Sequence, residues 1–267
     1  MNGPLFRQTW RAQRLKLAVV SLALVVWGFL LPLIYARFGS QFQTLMDSGI
    51  IPAQFARFSG GDIFSLPGSI ALGLIHPIAI ILTSVFAVGF SASAIAGERQ
   101  RGTLEVALAR PIARRTFYLT LLGAVFGFVA ITIAALLVGS VAGATFAGVI
   151  GELALRHLPL LWLNGVLLFG SFAAVGLAAS ASFDRAAPAL GITLGFVVLM
   201  YFFDILGSLW PAADPLQPYS LFHYLRAKAI LLGTASPFDD ATLAAVIVAA
   251  VAWGLLAFPR RDLAAPS

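Results

Sequence analysis

The chain has 267 residues, of which 60% are hydrophobic and only 10% are charged, whereas about a quarter of the residues of an ordinary soluble domain are charged. This composition excludes a soluble globular domain and predicts a protein embedded in lipid. The net charge of +6 does not indicate a nucleic-acid partner, because the charges fall in short segments between apolar runs, where they set membrane topology. The chain contains no cysteine, which excludes disulfides and cysteine-bound metals.

Six apolar windows are long enough to cross a bilayer as helices, since one span needs about 20 residues. The windows are 17–36, 69–96, 117–144, 158–180, 188–207 and 241–258. Asp204 is the only Asp, Glu, Lys or Arg residue inside them, and each such charge costs at least about 2.5 kcal/mol in hydrocarbon. The pattern predicts an all-α integral membrane protein with six transmembrane helices in one membrane domain over residues 1–267.

The basic residues predict the orientation of these spans. Six spans place both termini on one side, and 12 of the 17 Lys and Arg residues fall on that side. These twelve are Arg7, Arg11, Arg14, Lys16, Arg99, Arg101, Arg110, Arg114, Arg115, Arg185, Arg260 and Arg261. By the positive-inside rule, we expect a multi-pass protein of the cell (inner or plasma) membrane with both termini cytoplasmic.

The segment before the first span carries Arg7, Arg11 and Arg14 at helical spacing, while Phe6 and Trp10 mark another face. This pattern predicts an N-terminal interfacial helix that lies in the inner headgroup layer, with its cations near anionic membrane lipids. The alternative is a positively charged tail that only sets the topology. After the first span, the polar outer connection 37–68 is expected to form a surface cap.

A charged segment interrupts the apolar runs between the second and third spans. If residues 96–109 form one helix, Glu98, Arg101 and Glu105 share one face, and Leu104 and Leu108 form an apolar pair at i and i+4. Such a helix would offer two leucines and a rim of ions to a partner. Spacing alone is equally consistent with an alternative in which Glu98 does no more than neutralise nearby arginines at the membrane surface.

This segment contains the short motifs Gly97-Glu98-Arg99, Gly102-Thr103-Leu104-Glu105 and Arg110-Pro111 before Arg114-Arg115. Together they resemble the signature of the ABC type-2 transporter permease family. The resemblance implies that the segment is a cytoplasmic coupling helix resting on a separate nucleotide-binding subunit. It also implies pairing with a second permease copy or homologue. The residues implied in coupling to the ATPase are Glu98, Arg101, Gly102, Leu104, Glu105 and Leu108.

Three glycine pairs at GxxxG spacing occur in two of the spans, namely Gly123/Gly127 and Gly139/Gly143 in the third and Gly191/Gly195 in the fifth. Such pairs favour close packing of helices, within one chain or between two.

Asp204, near the outer end of the fifth span, is a functional candidate because ionisable residues inside spans are costly. It defines a possible polar site at the outer membrane face with Arg226 and Lys228. The alternative is that Asp204 is an interfacial carboxylate paired with one of these two cations.

Between the fifth and sixth spans, prolines 211, 215 and 218 interrupt helix continuity, and residues 219–233 read as one short apolar helix. Backbone at membrane depth needs internal hydrogen-bond partners, so we expect short outer re-entrant helices before the last span, with an interfacial loop as the alternative. The family resemblance implies the same element, and the ending Phe258-Pro259-Arg260-Arg261-Asp262-Leu263 is also similar to the family's.

No GxxxxGK[ST] phosphate-binding loop occurs in the sequence, so ATP hydrolysis is expected in a partner and no catalytic residue, cofactor or metal site is assigned. The three histidines are far apart and lack the HExxH spacing of a zinc site. We therefore expect the permease subunit of an ATP-driven ABC transporter, in the export direction. The alternatives are a secondary transporter, a non-transporting membrane assembly protein and a membrane-embedded enzyme.

Overall fold

The computed structural model describes residues 1–49, 65–109 and 112–261, and these residues form helices joined by short connections with no strand. The α-helices are α1 (Gly3–Asp47), α2 (Leu66–Ile75), α3 (Pro77–Ser84), α4 (Ser91–Ser93), α5 (Ala96–Gln100), α6 (Thr103–Leu108), α7 (Arg114–Phe146), α8 (Leu158–Ser182), α9 (Ala186–Leu209), α10 (Ala227–Leu232) and α11 (Pro237–Arg260). A π-helical stretch, Val85–Phe90, joins α3 to α4. Part of the predicted outer cap, residues 50–64, lies outside the described residues.

Five helices, α1, α7, α8, α9 and α11, are long and apolar enough to cross a membrane. A sixth span results if the bent pair Leu66–Ile75 and Pro77–Ser93 counts as one. Each predicted window falls on one of these elements. The prediction of an all-α membrane protein with up to six spans is therefore confirmed.

The second span is bent by 47° between α2 and α3. Pro77 begins α3, and His76 before it has extended backbone angles, because a proline ring disfavours helical geometry in the preceding residue. His76 Nδ1 accepts a hydrogen bond from the Ile78 amide at 3.3 Å, which caps the new helix. The window 69–96 was predicted without this break.

Helices α1 and α7 run in the same direction and touch backbone to backbone. A Cβ atom added to Gly139 would lie 2.1 Å from the carbonyl oxygen of Val25, and one added to Gly143 would lie 2.2 Å from that of Phe29. Only glycine permits this approach, so the predicted close packing at Gly139/Gly143 is confirmed within one chain. Because α1 is unbroken from Gly3 to Asp47, no separate N-terminal helix stands apart, and its interfacial position stays a prediction.

Helix α8 lies at the centre of the fold. Of the five long helices it is the most buried, with 72% of its apolar window covered, against 22% for α9 and 17% for α11. It packs against α7, α9 and α11, and Ser171 Oγ donates to the Leu243 carbonyl of α11 at 3.1 Å. Helices α9 and α11 therefore leave most of their apolar surface open to lipid or to a partner.

The first and the last described residues lie at one end of the helix bundle, here called the terminal end. The backbone amide of Asn2 donates to Thr120 Oγ1 at 2.8 Å, near the start of α7. Arg114, the first residue of α7, donates to the carbonyl oxygens of Pro259 at 3.1 Å and Arg261 at 2.5 Å. The side of the membrane that this end faces stays a prediction.

The connection between α9 and α11 contains short helices, but not the single helix predicted over 219–233. Two 3₁₀-helices, Pro211–Tyr219 and Phe222–Tyr224, precede α10. Helix α10 ends at Leu232, and Gly233 after it lies in the left-handed region with φ +75°. Ile230 and Leu231 of α10 are buried, and α10 packs on α2 and α8. Short helices therefore precede the last span, while their depth in the membrane stays a prediction.

Candidate functional site

The charged segment at the terminal end is two short helices, so the condition of one continuous helix over 96–109 is not met. Helix α5 ends at Gln100, and α6 begins at Thr103. Gly102 lies between them with φ +70°, a left-handed conformation that glycine adopts readily and other residues rarely do. Glu98 and Glu105 therefore belong to different helices and do not share one helical face. Arg110 and Pro111 lie outside the described residues.

Glu98 forms hydrogen bonds across the turn between α5 and α6. Its carboxylate accepts hydrogen bonds from the Arg101 guanidinium and from the Thr103 hydroxyl, the latter at 2.5 Å from Oε2. An exposed ion pair such as Glu98–Arg101 contributes at most about 1 kcal/mol. The main effect of Glu98 is therefore to hold the start of α6 beside α5, which agrees with the reading in which Glu98 pairs with a nearby arginine.

Leu104 points into the chain, not toward a partner as the sequence suggested. Its side chain is 1% exposed, and Leu108 is partly buried against the same apolar cluster. The buried members of this cluster are Ile95, Leu104, Phe117, Tyr118, Leu121, Leu177, Ala181 and Phe258. The two leucines share one face as predicted, but that face packs on α7, α8 and α11 because the turn at Gly102 sets α6 against the bundle.

The opposite side of α6 is open. Val106 is 72% exposed, and Thr103, Glu105 and Ala109 are exposed beside it. We call these four residues the outer face of α6. Interfaces between proteins have an apolar core inside a more polar rim, and Val106 beside Thr103 and Glu105 fits that arrangement.

Arg99, in the middle of α5, is buried and ion-paired. Its side chain is 1% exposed, and Nη1 lies 2.9 Å from Asp184 Oδ1. Arg261 Nη2 lies 2.8 Å from the same oxygen. Burial lowers the pKa of Arg99, and the nearby Arg261 lowers it further, whereas Asp184 opposes both effects. Because the pKa of an arginine starts very high, Arg99 remains charged.

Sequence reasoning did not place Asp184 in the site. Asp184 lies 85 residues after Arg99 in the sequence, in the short connection between α8 and α9. A contact over such a separation has no periodic signature. The signal that could have identified Asp184 is its position as the single acidic residue in a connection on the arginine-rich side of the chain.

Two further contacts hold α5 between α8 and α9. Ser180 Oγ of α8 accepts hydrogen bonds from the amides of Ile95 and Ala96, both at 2.9 Å. Gln100 Oε1 accepts from the amide of Ala186, the first residue of α9, at 3.1 Å. The charged segment is thus fixed to the end of one span and the start of the next.

At the opposite end of the bundle, Arg226 contacts residues other than those predicted. Its Nε lies 3.7 Å from Asp239 Oδ2, and its Nη2 lies 3.0 Å from His223 Nε2. Burial, and then the charge of Arg226, lower the pKa of His223. Because a guanidinium can only donate, His223 Nε2 accepts this hydrogen bond. A polar site formed by Asp204, Arg226 and Lys228 stays a prediction.

A family model described as "ABC-2 family transporter protein" matches residues 12–263. No curated protein matches the chain. The matched range includes the charged segment, all the spanning windows and Asp184.

Proposed function

The chain belongs to the ABC-2 family of transporter proteins as a membrane permease subunit, and we propose that it forms one membrane domain driven by a separate ATPase that binds the outer face of α6. The exposed Val106 carries this assignment, because it leaves an apolar contact point at the end of the bundle where α5 and α6 are fixed to the spans. The 267 residues contain no phosphate-binding loop. ATP hydrolysis therefore takes place outside them.

In the proposed mechanism, closure of the ATPase on ATP displaces α5 and α6 together. The Glu98 contacts to Arg101 and Thr103 keep the two short helices as one body. Ser180 and Gln100 pass the displacement to α8 and α9. The expected result is a change in the packing of the spans that moves substrate in the export direction.

The proposed function is tested by purification and ATP hydrolysis. We expect the chain purified alone to hydrolyse no ATP, and we expect a Walker-motif ATPase encoded beside its gene to co-purify with it and to be active in the complex. Phosphate release and size-exclusion chromatography measure the two properties. ATP turnover by the isolated chain, in preparations free of contaminating ATPase, would contradict the assignment.

We further propose that the terminal end faces the cytoplasm, as the 12 of 17 basic residues indicate. The chain has no native cysteine, so single cysteines can be introduced at Ala109 and Phe238, which are exposed at opposite ends of the bundle. In intact cells, a membrane-impermeant maleimide is expected to label Phe238→Cys and not Ala109→Cys until the membrane is opened. The reverse pattern would refute the orientation.

A second copy of the chain, or a close relative, is proposed to pack on α9. Cβ atoms added to Gly139 or Gly143 would collide with α1, whereas Gly191 and Gly195 of α9 have no atom within 4 Å of such a Cβ. The same helix exposes Leu194, Val198 and Phe202. Two free glycines four residues apart on an apolar helix permit close approach of another helix.

A further inference from the structure

One carboxylate oxygen joins three elements at the terminal end. Asp184 Oδ1, in the connection between α8 and α9, accepts from Arg99 of α5 at 2.9 Å and from Arg261, which follows α11, at 2.8 Å. The Arg99 side chain is buried, whereas those of Asp184 and Arg261 are partly exposed. The charged segment is thus connected through one atom to the start of α9 and to the end of α11.

The packing of the spans determines what a movement of this carboxylate would do. Helix α8 is held on several sides, whereas α9 and α11 are mostly uncovered within the chain. A displacement of α5 that reaches the α8–α9 connection would therefore move α9 and α11 more easily than α8. The buried position of Arg99 makes the link stiff, because the guanidinium has no room to exchange its partner for water.

We propose that Asp184 is the positioning residue that transmits displacement of α5 to both α9 and α11. The inference rests on the proposed function and adds to it a defined route from the ATPase contact into the spans. It assigns different parts of the response to the two arginines. The Arg99–Asp184 pair carries the movement to α9, and the Asp184–Arg261 pair carries it to α11.

Electrostatics explain why the carboxylate cannot be replaced by an amide. Arg99 lies near both Arg261 and Arg114, and Asp184 supplies the negative charge among these three guanidinium groups. The Arg99 side chain is buried, so removing the charge of Asp184 leaves that guanidinium uncompensated. In Asp184→Asn, we expect Arg99 and Arg261 to separate, and the connection between α5, α9 and α11 to loosen.

The test uses the full chain in its complex with the ATPase, reconstituted in lipid. Spin labels are attached to introduced cysteines in two pairs. The pair at Leu155 and Trp210 reports the distance from the residues just before α8 to the far end of α9. The pair at Leu155 and Phe238 reports the distance from the same reference point to the far end of α11. All three positions are exposed. Label distances are measured without nucleotide and after trapping with ATP and vanadate, and both pairs are expected to shift by at least about 2 Å in the parent complex.

Asp184→Asn is expected to lose more than half of both shifts while the ATPase remains bound, and Asp184→Glu is expected to restore them. Arg261→Gln, which keeps the Arg99–Asp184 pair, is expected to lose only the shift of the Leu155–Phe238 pair. Asp214→Asn, the same change of charge at an exposed residue of the opposite end, is the matched control and is expected to retain both.

Full shifts in both Asp184→Asn and Arg261→Gln would overturn the inference, as would a parent complex that binds the ATPase but shows no shift. If Asp184→Asn does not fold, Arg261→Gln decides alone, because a merely structural role does not separate the two label pairs. A parent chain that binds no ATPase would instead contradict the proposed function, which is a result distinguishable from these.

Discussion

Val106→Asp is expected to weaken binding of the ATPase by at least about 30-fold while the chain remains folded in the membrane. Val106 is 72% exposed, so a carboxylate at this position is solvated in the free chain and is desolvated only when the partner covers it. Loss of a hot-spot contact costs about 2 kcal/mol or more, which corresponds to a dissociation constant about 30-fold higher. Titration of the labelled ATPase against the detergent-solubilised chain measures this change.

Two other variants separate docking from folding. Leu155→Asp places the same charge on an exposed leucine at the opposite end of the bundle and is expected to bind the ATPase normally. Leu104→Asp buries a carboxylate in the chain's own apolar cluster and is expected to reduce the amount of folded chain. If Val106→Asp binds with unchanged affinity, the outer face of α6 is not the ATPase contact.

Gly139→Ile is expected to prevent stable packing of α1 on α7. A Cβ at this position would lie 2.1 Å from a backbone carbonyl oxygen, and no rotation of a side chain can relieve that collision. Overpacking of a well-packed core costs about 1–3 kcal/mol and occasionally more, so we expect a clear loss of thermal stability. Thermal unfolding in detergent, followed by size exclusion, measures it.

Gly191→Ile is the matched variant, because the same side chain enters open space. We expect its thermal stability in detergent to equal that of the parent chain. In lipid, the second copy packed on α9 should be displaced, so cross-linking between copies should fall. Equal stability of Gly139→Ile and Gly191→Ile would contradict the glycine contact, and unchanged cross-linking of Gly191→Ile would contradict the interface on α9.

The spans were predictable because the cost of charges in hydrocarbon leaves a strong one-dimensional signal. Windows 117–144 and 158–180 differ from α7 and α8 by only a few residues at each end. The bend at Pro77 was missed because hydropathy averages over a window and does not register one imino acid. The continuity of α1 was missed because the change from charged to apolar residues was read as a boundary between two elements, although such a change does not require a break in the helix.

The charged segment shows the limit of reading faces from spacing. The i, i+4 relation of Leu104 and Leu108 is present in α6, and the sequence correctly gave them a common face. Which way that face points depends on Gly102 and on residues of α7, α8 and α11 distant in the chain. Asp184 was missed for the same reason, because its contact with Arg99 exists only after two spans fold back.

The close packing of α1 on α7 has a consequence for biosynthesis. Gly28 of α1 meets the carbonyl oxygen of Leu136, which the ribosome adds roughly 110 residues later; at about 5–20 residues per second the interval is roughly 5 to 20 s. During that time α1 is already long enough to enter the bilayer, yet the side that will contact α7 has only lipid or translocation machinery to contact. A factor that shields this side would protect the nascent chain, and slow translation between the first and third spans would lengthen its exposure to membrane proteases.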